Sequence, residues 1–176
     1  MAEGRNIHST HVQTADDMPG ELEKLGAALR NQKFSALAGE WRKVLERPAY
    51  PKRSVAEIPG VIQWLRPPKK EPEQILYLIW RGPWMAVARN TFAGSMLSQV
   101  GFGGAIPHFT EKYPKLDLGN FSPEKTLLLF SSEPYPFAKK PKELLSLDFP
   151  SAIVDGEAYS WFGVRSLRFL QSTKAT

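Results

Sequence analysis

The chain has 176 residues and a net charge of +5, from 23 basic and 18 acidic side chains. A hydrophobic share of 42%, with ten Phe, five Trp and five Tyr, is enough for a packed core and excludes a largely disordered chain. Cysteine is absent, which excludes a disulfide scaffold, a thiolate zinc site, an iron–sulfur cluster and a Cys nucleophile.

The length predicts one ordinary domain, or a small domain with an appendage. Residues 1–72 hold 12 basic and 9 acidic groups, and residues 73–176 hold 11 and 9, so the positive excess is diluted over the whole chain. Only Arg66-Pro-Pro-Lys-Lys70 is a cluster, and it sits among prolines. A nucleic-acid binder concentrates charge on one element, so no nucleic-acid partner is expected. The longest apolar run, Ile75-Leu-Tyr-Leu-Ile-Trp80, is far short of the ~20 residues that cross a bilayer. The stretch Met1-Ala-Glu-Gly-Arg-Asn-Ile-His8 has no apolar centre of the signal-peptide kind. Read literally, the chain is expected to be soluble and not exported.

In chain order, Thr14-Ala-Asp-Asp17 carries a capping-box pattern, and Leu22, Leu25 and Leu29 follow on one helical face. Phe34, Leu37, Trp41 and Leu45 form the stripe of a second helix, which Pro48 and Pro51 are expected to stop. Val61-Ile-Gln-Trp-Leu65 is a short apolar segment. Residues 66–73 read as a proline-rich linker, and the change of composition there divides a helical part, 1–73, from an α/β part, 74–176. Residues 75–80, 126–130 and 151–154 read as buried strands. Thr91 caps a helix carrying Phe92, Met96, Leu97 and Val100, ended by Gly101. Short helices are expected over residues 141–147 and 166–171. Strands alternating with helices predict an α/β fold, a parallel sheet flanked by helices after an amino-terminal helical segment.

Each strand runs into a loop dense in aromatic and polar groups: Trp80-Arg-Gly-Pro-Trp-Met85, Ser131-Ser-Glu-Pro-Tyr-Pro-Phe137, and Asp155-Gly-Glu-Ala-Tyr-Ser-Trp-Phe-Gly163. In an open parallel sheet all three emerge at the carboxyl edge, where such folds bind ligands. The pattern predicts one surface bearing Arg81, Trp84, Glu133, Tyr135, Phe137, Glu157, Tyr159 and Trp161. Trp80, Met85, Phe162 and Arg165 adjoin it in sequence. Aromatic and proline side chains in such loops serve equally to plug the end of a core, and that reading stands beside the first.

No catalytic constellation is legible. His8 and His11 lie three apart with no carboxylate at ligand spacing, and His108 is alone, so no metal site is expected. Gly101-Phe-Gly-Gly104 lacks the Lys-Ser/Thr of a phosphate loop. Ser131 and Ser132 have no nucleophile elbow. Glu133 and Glu157 are a candidate carboxylate pair of unknown separation.

The run Tyr77-Leu-Ile-Trp-Arg-Gly-Pro-Trp-Met85, then Asn90-Thr-Phe92, Ser132-Glu-Pro-Tyr-Pro-Phe137 and Asp155-Gly-Glu-Ala-Tyr-Ser-Trp-Phe-Gly163 resembles the carboxyl-terminal lobe of periplasmic substrate-binding proteins of the helical-backbone class III, which serve ABC importers of cobalamin, ferric siderophores and haem. Ile7-His-Ser-Thr-His-Val-Gln-Thr-Ala-Asp-Asp17 resembles the segment that closes the amino-terminal lobe and enters the interlobe helix. The likeness runs from Ile7 to Gln171, poorest between Pro48 and Glu73, and begins where the amino-terminal lobe would be ending. The resemblance implies a non-enzymatic periplasmic receptor, amino-terminally truncated, that uses no cofactor. Its partners are a corrinoid or iron chelate held by the loop residues above, and a membrane permease that docks to acidic groups. Two positions depart from that pattern. Asn90 stands where an acidic residue is expected, and Gly119 or Asn120 falls at the docking position, leaving Asp117 as the substitute. The competing expectations are a stand-alone cytoplasmic α/β binding module and an α/β enzyme.

Overall fold

The computed structural model describes residues 9–47 and 53–173. His8, Pro48 and Pro51 lie outside the described residues. The elements are helices α1 (Met18–Leu29) and α2 (Gln32–Glu46), strands β1 (Val61–Arg66), β2 (Gln74–Trp80) and β3 (Trp84–Ala86), helix α3 (Phe92–Gln99), strands β4 (Lys115–Leu116) and β5 (Thr126–Ser131), helix α4 (Pro141–Leu145), strand β6 (Ser151–Val154), and helices α5 (Gly156–Ser160) and α6 (Val164–Thr173).

One six-stranded sheet has the order β1-β6-β5-β2-β3-β4. The three strands expected from the apolar runs form its parallel centre, with β5 between β2 and β6. The sheet as a whole is mixed, because β1 joins β6, β3 joins β2 and β4 joins β3 in antiparallel pairs. Residues 61–65, read as a short apolar segment, thus belong to an edge strand that also takes in Arg66. The 66–73 linker is the connection between β1 and β2, so the expected division after Glu73 falls within one sheet.

Alternate residues of the parallel strands feed two cores. Ile75, Tyr77, Leu127, Leu129, Ala152 and Val154 face Met18, Trp41, Val44, Met96, Leu97, Leu167 and Leu170. Leu76, Leu78, Leu128, Phe130 and Ile153 face Leu118, Phe137, Leu144 and Phe149. Burial on both faces explains why β2 and β5 read as continuous apolar runs instead of alternating ones. Each such Leu or Ile stabilises the fold by about 1.5–3 kcal/mol.

Helices α1 and α2 form a hairpin. Arg30, with φ 50°, turns the chain out of α1, and the Asn31 side chain accepts from the Lys33 amide at 3.0 Å to start α2. The hairpin is anchored to α3. Trp41, 1% exposed, meets the Phe92 ring edge-on at 6.3 Å, and the Ala15 amide donates to Ser95 Oγ at 2.8 Å. Thr91 caps α3 as expected, accepting from the Gly94 amide at 3.1 Å, and Gly101 follows the helix at φ 98°.

Ahead of α1, the Asp17 carboxylate accepts from the backbone amides of Thr14 at 2.8 Å and Gln13 at 2.9 Å. The Thr14 hydrogen bond is the main reason its pKa lies below the ordinary carboxyl value. A depressed carboxyl pKa adds stability above the unfolded-state value, and that stability is lost as pH falls through the folded-state value. Asp17→Ala is expected to lower unfolding stability by about 1 kcal/mol at pH 7. In urea titrations across pH, the difference from the parent should shrink below about pH 4.

Candidate functional site

The carboxyl ends of β2, β5 and β6 are Trp80, Ser131 and Val154, and parallel pairing sets them side by side. The loops they release are bound to one another. The Ser132 amide donates to the Val154 carbonyl at 2.9 Å, and the Gly156 amide donates to Ser132 Oγ at 3.0 Å. A Cβ on Gly156 would collide with Ser131 Oγ and come within 2.7 Å of the Glu133 nitrogen, so only glycine permits this approach.

The sheet divides the aromatic groups between its faces. On the α4 side, Trp80 meets Tyr135 edge-on at 5.3 Å, Tyr135 contacts Phe137 at 4.6 Å, and Phe137 stacks on Trp84 at 6.2 Å. Arg81 lies 5.4 Å over the Trp84 ring and is ion-paired to Glu143. On the α3 side, Phe162 meets Phe92 edge-on at 5.8 Å. Arg165 donates to Asp155 at 2.9 Å and pairs with Glu157, and the Asp155 hydrogen bond raises its pKa further above the ordinary value.

Exposure separates the expected ligand residues. Trp161 (60%), Phe162 (52%) and Trp80 (43%) present large apolar surface to solvent. Arg165 is exposed, and Arg81, Trp84, Met85, Glu133, Tyr135 and Glu157 are half-buried. Phe137 and Tyr159 are corrected to core. Both have 0% exposure. Phe137 fills the α4-side cluster, and Tyr159 packs against Tyr77 and Phe169 with its hydroxyl donating to the Pro59 carbonyl at 2.7 Å. Burial raises the Tyr159 pKa well above its ordinary value, which keeps the phenol neutral. For these two side chains the plug reading holds.

The serine and glutamate candidates have partners within the fold. Tyr77 donates to the buried Ser131 hydroxyl at 3.2 Å, and Ser131 in turn donates to the Glu133 carbonyl. Those partners hold the hydroxyl in place. Glu157 is committed to Arg165. His108 and Asn90 are exposed, and the exposed Asp117 carboxylate accepts from the Gly119 amide at 2.9 Å. Among the described residues, no group of three His, Asp or Glu is arranged to hold a metal ion, and no helix is long and apolar enough to cross a membrane.

Sequence reading missed α5, concealed inside an apparent loop, and the hydroxyl chain around Tyr77. A tyrosine inside an otherwise aliphatic strand was the available signal. It missed Glu143 as the partner of Arg81, because pairs 62 residues apart leave no local pattern.

Two cavities, of about 860 Å³ and 360 Å³, open elsewhere. The larger is bordered by Arg66, Lys70, Glu73, Lys125 and Asp148, at the ends of β2, β5 and β6 opposite the three loops. None of the expected ligand residues lines either cavity.

Solved structures with the same architecture carry the comparison further. The periplasmic vitamin B12 binding protein BtuF of Vibrio cholerae superposes with a TM-score of 0.64 at 14% identity over 98% of this chain and 64% of its own. The chain shares the fold of part of that protein. The periplasmic heme binding protein HutB of Vibrio cholerae matches with a TM-score of 0.59 at 15% identity, covering 92% of this chain and 63% of its own. An ABC transporter substrate-binding protein from Listeria monocytogenes EGD-e gives 0.56 at 14%, over 92% and 64%. The chain therefore spans about 64% of the length of these structures. No protein-family model matches the sequence, and no curated protein matches it by sequence.

Core and surface aromatics should separate cleanly by mutation. Phe137→Ala is expected to cost about 3–5 kcal/mol of unfolding stability. Trp161→Ala is expected to stay within about 0.5 kcal/mol of the parent. Urea denaturation followed by circular dichroism reads both.

Proposed function

We propose that this chain is the carboxyl-terminal part of a solute-binding component of an ABC importer, and that its loop face receives a flat, conjugated ligand of the corrinoid or iron-chelate kind. It acts by binding and delivery, without turnover. The observation that carries this reading is the arrival of three aromatic-bearing loops at one edge of a rigid parallel sheet. Substrate-binding folds whose names record vitamin B12 and heme support the ligand class.

In this reading Trp161, Phe162 and Trp80 supply exposed ring faces and edges for stacking. Tyr135 backs Trp80 edge-on, and Trp84 stacks on the buried Phe137. Arg81 and Arg165 sit at the margins, each already oriented by a carboxylate, and either can pair with a carboxylate or phosphate of the ligand. Met85, Glu133 and Glu157 complete the wall. Phe137 and Tyr159 act only as supports. Asp117, exposed and fixed by the Gly119 amide, is the acidic group offered to a permease arginine. The setting implied by this function is the periplasm.

The amino-edge cavity favours one rival, a stand-alone module that binds a small molecule there. Titration of the full chain with cyanocobalamin, haemin and ferrichrome, read by tryptophan emission, separates the two. The receptor reading expects quenching by at least one of these ligands. Trp161→Ala should then weaken binding about tenfold, the size of one lost aromatic contact. Unchanged affinity removes Trp161 from the site. Amide protection confined to residues 66–73 on adding ligand places binding at the amino edge and supports the rival.

A further inference from the structure

We infer that Tyr77, which no ligand on the loop face can touch, is a positioning residue that holds two of the three ligand loops in register. The inference rests on the ligand reading above.

Tyr77 lies inside β2 with 0% exposure. Its hydroxyl donates to Ser131 Oγ at 3.2 Å and lies 3.3 Å from Ser160 Oγ. Ser131 is the last residue of β5 and Ser160 the last of α5. Because the single phenolic proton goes to Ser131, the Ser160 hydroxyl is the donor to Tyr77. Ser131 then passes its own proton to the Glu133 carbonyl. The result is a directed chain, Ser160 to Tyr77 to Ser131 to Glu133, in which each bond polarises the next. One end enters the loop carrying Glu133 and Tyr135, and the other lies next to Trp161.

The two loops also meet directly. The Gly156 amide donates to Ser132 Oγ at 3.0 Å, and Gly156 approaches Glu133 too closely for any side chain. The loops therefore have no free space in which to adjust, and the phenol fixes their spacing from beneath. Burial pushes the Tyr77 pKa up to about 12, so the hydroxyl keeps its proton throughout the neutral range. Tyr77→Phe retains the ring, including its contact with Tyr159 at 5.8 Å, and removes only the link between the two serines.

The test uses the full chain without ligand, read by amide hydrogen exchange. In Tyr77→Phe, exchange should accelerate roughly tenfold over residues 132–136 and 156–162, while residues 127–129 at the centre of β5 stay unchanged. Ser160→Ala should reproduce part of this effect and add nothing in the double variant, since both cut the same chain. Titration with cyanocobalamin and haemin should show roughly tenfold weaker binding by Tyr77→Phe, with the quenching at saturation preserved. Unchanged exchange in the two loops overturns the inference. So does uniform acceleration that includes residues 127–129, because that is ordinary loss of stability. Failure of the parent chain to bind any probe removes the ligand reading instead, and the exchange result still decides whether Tyr77 locks the loops.

Discussion

Strands β2, β5 and β6 run parallel and are covered on both faces, and this pairing governs the rest of the molecule. Parallel neighbours end at the same edge, so the segments that follow Trp80, Ser131 and Val154 share one rim. Two-sided burial fixes the register, because a slip of one residue would exchange the two cores. The loops hold only short elements, among them β3 and α5. Their positions are precise because the strands beneath them cannot move.

The side chains at this rim divide between the two faces of the sheet. Trp80, Trp84 and Tyr135 lie on the α4 side, whereas Phe162 meets Phe92 on the α3 side. The polar knot at Ser131, Ser132 and Gly156 joins them across the sheet edge. Hydroxyls and backbone amides suit that junction because they lie too close together for side chains of any bulk. Of the expected ligand aromatics, Phe137 and Tyr159 are fully buried, Phe137 in the α4-side core and Tyr159 in the α3-side core.

The amino-terminal helices are part of this arrangement. Trp41 and Val44 lie in the same core as Ile75 and Leu127, and Ala15 is bonded to α3 through Ser95. The α1–α2 hairpin therefore supports the sheet face that carries Tyr77 and Tyr159. At the opposite edge, the crossing segments around Arg66, Glu73 and Lys125 leave concave space bordered by paired charges. The larger cavity and the aromatic loops thus lie at opposite ends of one sheet.

The sequence by itself determined the parallel centre, the helical hairpin and the carboxyl-edge loops, because each rests on a local signal. The apolar runs at residues 75–80 and 126–130 exceed what an alternating strand shows, Leu22 to Leu29 and Phe34 to Leu45 repeat at helical spacing, and Thr91 and Gly101 bracket α3. Only the tertiary structure decided what depended on distant partners. It made residues 61–66 an edge strand by pairing them with β6, and gave Arg81 the carboxylate of Glu143. It sent Phe137 and Tyr159 inward while leaving Trp161 and Phe162 outside. Neighbouring aromatics in one loop look alike in sequence. Which of them is buried depends on how far the covering helices reach, and that distance is set by packing across the whole sheet.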